Sequence, residues 1–207
     1  MTSPRPEQST PPQQQYADRS FRSPAAMAGG GLLLLLALWL GGDALLRGTA
    51  HTRLTALFAL LLGVPLVFAF TLRPAVRAGA DLLTVRNPFR TITLPWGAVE
   101  DLRAAFSSEV FTSDGKYQMW AIPVSLRQRK KATRQATRGA AKARFGGGAD
   151  APAPRATADQ ALDELREIKE RAKDRESAKG EPRVRWAYPV IAPSVVGVIG
   201  LAVMLAL

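Results

Sequence analysis

Few residues in this chain are equipped for covalent chemistry. Its single histidine, His51, lies in the stretch RGTAHTR with no acid or nucleophile close by, and there is no cysteine. Disulfides, thiolate nucleophiles and Cys-based zinc or iron–sulfur sites are excluded, and any histidine general base would rest on one residue. Glu100 and Asp101 are adjacent, which on a strand turns the two carboxylates to opposite faces and makes a poor acid/base pair. Gly29, Gly30 and Gly31 open an apolar run, with no strand before them and no Gly-Lys-Ser/Thr after, so they are not a phosphate loop. We therefore expect no catalytic residues, no metal, no cofactor and no enzymatic activity.

The chemistry that is present is ionic. The segment RQRKKATRQATRGAAKAR carries Arg127, Arg129, Lys130, Lys131, Arg134, Arg138, Lys142 and Arg144 and no acidic residue. On a helix, Arg127, Lys131, Arg134, Arg138 and Lys142 would share one face. Such a face can lie on anionic lipid headgroups, gaining about 1 kcal/mol per basic residue near the surface. It could also grip nucleic-acid phosphates, but no aromatic residue interleaves to stack on bases, so nucleic acid is disfavoured. The plain alternative is a solvated linker.

The elements around this segment place lipid nearest. Residues 23–42, 54–72 and 187–207 are three uncharged runs of 20, 19 and 21 residues. At 1.5 Å per residue each matches a hydrocarbon core about 30 Å thick. Three runs this long leave too little polar chain to cover them as buried core helices. Pro65 interrupts the second run, which membrane helices tolerate. A signal peptide cleaved near 48–50 is an alternative for the first run, disfavoured by a long leader and by the second run that follows at once. Helix spans are expected at 23–46, 54–72 and 187–207. Of 28 basic residues, 23 fall within 73–185, so that segment is expected on the cytoplasmic side of the cell (inner) membrane, with the N-terminus also inside and the C-terminus at the outer face. Trp39, Trp186 and Tyr188 sit where interfacial aromatics belong. The runs hold almost no polar groups, unlike a transport pathway, so they read as an anchor.

Residues 1–22, rich in Pro, Gln and Ser, read as a disordered tail. Residues 73–126 read as a β-module. A short strand is expected around Val76, Leu83 and Val85 alternate with Thr84 and Arg86 in a strand at 82–86, Asn87-Pro88 marks a turn, and further strands are expected at 90–94, 99–105, 110–112 and 117–122. Asp114-Gly115 marks a hairpin. That makes five or six antiparallel strands.

The stretch LLTVRNPFRTITLPWGAVEDLR, through Leu83, Val85, Asn87, Leu94-Pro95-Trp96, Val99 and Leu102, together with the later DGKYQMWAI, resembles the bacterial PH-like domains of small actinobacterial membrane proteins, the group that includes a mycobacterial low-molecular-weight antigen. The resemblance covers residues 71–122, and the two preceding apolar runs fit it. It implies a PH-like roll or partly open barrel with Trp96 as a core anchor. The core set is then Leu83, Val85, Leu94, Trp96, Val99, Leu102 and Trp120. A PH barrel normally has seven strands and a closing C-terminal helix, and this module is short. Its loop at 77–82 carries only Arg77, so phosphoinositide binding is not carried over.

Residues 127–156 combine the basic segment with a Gly/Ala/Pro linker, and 157–180 form an amphipathic helix. Thr157 and Gln160 suit a capping box, and Ala161, Leu165, Ile168 and Ala172 form an apolar stripe beside Leu162. Glu167 and Arg171 are spaced to pair. The helix either covers the β-module or makes a short coiled-coil contact. The expected fold class is thus membrane α-helical, with three transmembrane helices, plus a small β-rich PH-like roll and a C-terminal cytoplasmic helix. Its expected role is a non-catalytic binding or scaffold module at the bilayer surface. The alternative is an accessory subunit of a transport or envelope-maintenance complex. Expected partners are the lipid bilayer, anionic headgroups, and a membrane or cytoplasmic protein.

Overall fold

The computed structural model describes residues 18–124, Arg134 and 157–206. The chain enters through strand β1 (Arg19–Phe21) and turns into helix α1 (Pro24–Arg47) and helix α2 (Ala50–Val67), which ends in a widened π turn (Phe68–Leu72). Six strands follow: β2 (Ala75–Ala78), β3 (Leu82–Arg86), β4 (Arg90–Pro95), β5 (Asp101–Ala104), β6 (Ser108–Thr112) and β7 (Gly115–Gln118). Helix α3 (Thr157–Ala172), strand β8 (Arg183–Trp186) and helix α4 (Tyr188–Ala206) complete the described chain.

The helix starts are written locally. The Ser23 hydroxyl accepts from Ala26 N at 3.3 Å with Pro24 at the first helical position, and Thr49 caps α2 through Thr52 N at 3.3 Å. Only Gly48 and Thr49 separate α1 from α2, a tighter connection than the gap between the expected spans 23–46 and 54–72. α1, the α2–π unit and α4 have 24, 23 and 19 residues and are long and apolar enough to cross a membrane. α4 packs on α2 through a stripe of Val190, Ser194, Gly197, Gly200 and Met204. A Cβ on Gly197 would stand 2.5 Å from the Leu62 backbone nitrogen, so the missing side chain is what lets the two backbones approach.

The strands form two antiparallel sheets, β1-β2-β3-β4-β8 and β5-β6-β7. Their inner faces, with α3, enclose one core containing Val76, Leu83, Val85, Ile92, Leu94, Trp96, Val99, Leu102 and Val110. Trp96 is fully buried and donates its indole N–H to Gly79 O at 3.0 Å, so its one polar atom is satisfied. α3 buries Ala158, Ala161, Leu162, Leu165 and Ala172, with Ile168 packed at the margin. The stripe that could have served a coiled coil is occupied by the β-domain. Arg166 Nη2 donates to Leu102 O at 2.6 Å and Lys169 to Glu100 O, so the helix also caps carbonyls along the β5 edge.

Several expectations are corrected. The tail is not wholly unstructured: Arg19, Ser20 and Phe21 pair with Ala78, Arg77 and Val76 and extend the sheet. Residues 183–186, which carry no periodic apolar signal, form β8 against β4. The module thus draws strands from both sides of the span 73–126. α3 stops at Ala172, not 180, and a short helical turn at Glu176–Ala178 follows. The β6–β7 turn is Ser113-Asp114. Gly115 comes one place later, as the first residue of β7, at φ 140°, where a side chain would be strained. Trp120 is not core: it is 45% exposed. β7 ends at Gln118, and the turn closed by Ile122 N to Met119 O at 3.2 Å sends Met119, Ala121 and Ile122 inward and Trp120 out.

Candidate functional site

Strand alternation gives the five-stranded sheet two unlike faces. The inner face is apolar. The outer face follows from the register as two cross-strand rows. The first contains Ala75, Arg86, Thr91 and Arg185, and the second Ser20, Arg77, Thr84, Thr93 and Arg183. Beyond Ala75, every member is an arginine or a hydroxyl residue, and neither row holds a carboxylate. Arg77, Arg183 and Arg185 are exposed, and none of the four arginines has an ion pair with a carboxylate among the described residues.

Arg73 joins the first row from the π turn. Its Nε donates to Asn87 O at 3.1 Å and its Nη2 to Thr91 Oγ1 at 3.1 Å. Partial burial, and then the like charge of Arg86, lower the Arg73 pKa below its ordinary value. A guanidinium remains charged regardless. The fold thus holds two cations near each other with no acid between them.

The row stands where sheet and helices meet. Three strands of one sheet run directly into the three apolar helices: β1 into α1, α2 into β2, and β8 into α4. The β3–β4 turn is the hub of this junction. Phe89 packs with Ala69, Ala187 and Val190, and meets Phe70 edge-on at 5.4 Å. Phe70 also contacts Trp120 at 5.5 Å, and Ala187 N donates to Phe89 O at 2.8 Å. Asn87, buried at the same turn, donates from Nδ2 to Gln118 O at 2.7 Å and accepts from Trp120 N at 3.3 Å, tying one sheet to the other. Beside the hub an apolar groove of about 500 Å³ lies between α2 and α4, lined by Leu62, Leu66, Phe89, Trp186, Ile191 and Val195 among others.

A second, polar pocket of about 680 Å³ is bordered by Gly97, Ser113, Asp114, Lys173, Lys179 and Glu181. Its lysines are already paired, Lys173 with Glu170 and Lys179 with Glu176, each at 2.6 Å. Among the described residues, Arg77, Arg86, Arg183 and Arg185 on the sheet have no such carboxylate partner.

Of the basic segment predicted to meet an anionic surface, Arg134 is described and exposed. Arg127, Arg129, Lys130, Lys131, Arg138, Lys142 and Arg144 lie outside the described residues. His51 stands exposed in the first turn of α2, not in a loop. Asp101 turns to Arg103, whose hydrogen bond is the main cause holding its carboxyl below the ordinary value. Among the described residues no three His, Asp or Glu side chains gather as a metal site would require. Sequence reasoning placed Thr84 and Arg86 on one face but missed the arginine row, because Arg183 and Arg185 join it from a strand about a hundred residues later.

Residues 73–169 match the family model described as Bacterial PH domain, which agrees with the two-sheet core and its packed helix. No curated protein and no solved structure matches the chain.

Proposed function

We propose that this protein is an integral membrane protein of the bacterial cell membrane, presenting a PH-like module to the cytoplasm as a non-catalytic binding or scaffold domain at the bilayer surface. The observation that carries this reading is the continuity between sheet and helices. Three spanning helices, each leading into a strand of the same sheet, would fix that sheet at the membrane surface instead of letting it swing on a linker. The excess of Lys and Arg in 73–185 favours the cytoplasmic side. The two helices before β2 suit the actinobacterial group that the sequence resembles. Its partners are then the bilayer itself, anionic headgroups near the module, and a protein docked on the domain.

Because the chain has no cysteine, topology can be read with single introduced thiols. Thr49→Cys, between α1 and α2, should react with a membrane-impermeant maleimide on intact cells. Ser113→Cys, at the β6–β7 turn, should react only after lysis. The reverse pattern would refute the orientation. A chain released from membranes by alkaline carbonate would refute integration altogether.

A further inference from the structure

We propose that the row Arg86–Thr91–Arg185, with Arg73 behind it, binds the phosphate of one anionic phospholipid headgroup. The inference rests on the helices spanning the bilayer as proposed above, and adds a site to that reading.

Depth comes first. Arg73 follows Leu72, the last residue of the α2 unit, and Arg185 is three residues before Tyr188 opens α4. Arg22 flanks the α1 cap at Ser23. Residues this close to the ends of spanning helices lie at headgroup level. A nucleic-acid duplex or a folded acidic protein would have to enter the headgroup layer to reach them, whereas a lipid phosphate is already there.

Geometry comes second. Adjacent strands lie about 4.8 Å apart, so Arg86 on β3 and Arg185 on β8 flank Thr91 on β4 across about 10 Å. One phosphate group fits that span, with a guanidinium on each side. Thr91 Oγ1 already accepts from Arg73 Nη2, which leaves its own hydroxyl proton to donate outward. Arg73 spends two N–H groups on Asn87 O and Thr91 Oγ1, so its position is set before any ligand arrives. Pre-positioned donors are what a specific site has and a diffuse basic surface lacks. The depressed Arg73 pKa reports the same thing, a cation partly desolvated beside a second cation. An anion would relieve that repulsion.

The sheet supplies its own control. Arg77 and Arg183 lie on the same face in the second row, two residues farther from the hub along their strands. Removing either pair costs the same charge. The full chain, purified in mild detergent, would be titrated with phosphatidylglycerol and with phosphatidylcholine, and bound lipid counted by native mass spectrometry. A parallel arm would use inorganic phosphate without lipid, read by thermal shift. Wild type should retain phosphatidylglycerol and not phosphatidylcholine. Arg86→Gln with Arg185→Gln should weaken retention about 30-fold, because two cations next to the headgroup are neutralised. Arg77→Gln with Arg183→Gln should match wild type. Arg185→Gln alone, at an exposed side chain that the fold does not use, should weaken retention about fivefold and guards against a misfolded double variant. Equal loss from the two double variants would overturn the site in favour of general surface charge. Equal stabilisation by inorganic phosphate and by lipid would overturn the lipid as its source. A chain that inserts in membranes yet retains no anionic lipid would overturn this inference alone, whereas a chain that fails to insert would overturn the function proposed above as well.

Discussion

Asn87→Ala should loosen the β-domain where it meets the helices. The side chain is 4% exposed and makes two hydrogen bonds, a short one to Gln118 O at 2.7 Å and a long one from Trp120 N at 3.3 Å. A neutral hydrogen bond contributes about 1 kcal/mol net, and a buried group left unpaired costs about 1–3 kcal/mol. Gln118 and Trp120 are both exposed residues, so water can reach the stranded carbonyl and N–H, and the lower end of that range applies. We therefore expect a loss of about 2 kcal/mol, which for a chain of this size lowers the thermal midpoint by about 4–8 °C. The assay is thermal unfolding of the full chain in detergent, followed by tryptophan fluorescence, with hydrogen exchange at the Trp120 amide as the local readout. Exchange at Trp120 should accelerate, while protection at Val85 and Ile92, in the centre of the sheet, should fall only by the global destabilisation. Asn87→Asp keeps the acceptor for Trp120 N but puts a carboxylate against Gln118 O, and should cost at least as much as alanine. A midpoint within about 1 °C of wild type, with unchanged exchange at Trp120, would refute the claim that Asn87 joins the two sheets.

Trp96→Ala should cost about 3–5 kcal/mol by emptying the largest buried site, whereas Trp96→Phe loses the Gly79 hydrogen bond and part of the volume and should cost less; denaturant unfolding ranks the two. Gly197→Val should push α4 off α2, since a Cβ there meets the Leu62 backbone, and disulfide cross-linking between thiols introduced at Phe58 and Gly200, where a Cβ would meet the Phe58 ring, should fall; unchanged cross-linking would contradict the packing. The contribution of Asp101 should change with pH only in acid. Its folded pKa is held below the ordinary 3.8 chiefly by Arg103, so its stabilising contribution is complete above that value and lost as pH falls through the depressed one. Asp101→Asn should flatten that part of the acid unfolding profile and leave thermal stability at neutral pH nearly unchanged, the carboxylate being largely solvent-screened.

What could be read from the chain depended on the range of each signal. Hydropathy is summed over a local window, so the three apolar helices were legible to within a few residues. Period-two alternation set Leu83 and Val85 on the face opposite Thr84 and Arg86, while Leu94 and Trp96 as core residues came from the resemblance to bacterial PH-like domains; all four apolar residues are buried. The stripe of α3 showed which face it would bury, though not the carbonyls of β5 that Arg166 and Lys169 cap. β1 and β8 left no such trace. They are three and four residues long, mostly exposed on both faces, and acquire strand character only by pairing with β2 and β4. Backbone pairing depends on partners distant in sequence, and no window of local composition contains them. The arginine row is a product of that pairing. Arg86 and Arg185 are 99 positions apart in the chain and share a row only because β4 takes β8 as its outer neighbour. Composition and periodicity by themselves determined that this protein has three apolar helices, a β-module and an excess of basic charge. Only the tertiary structure decided which arginines stand together, because register is set by the closing of the sheet and not by the residues one at a time.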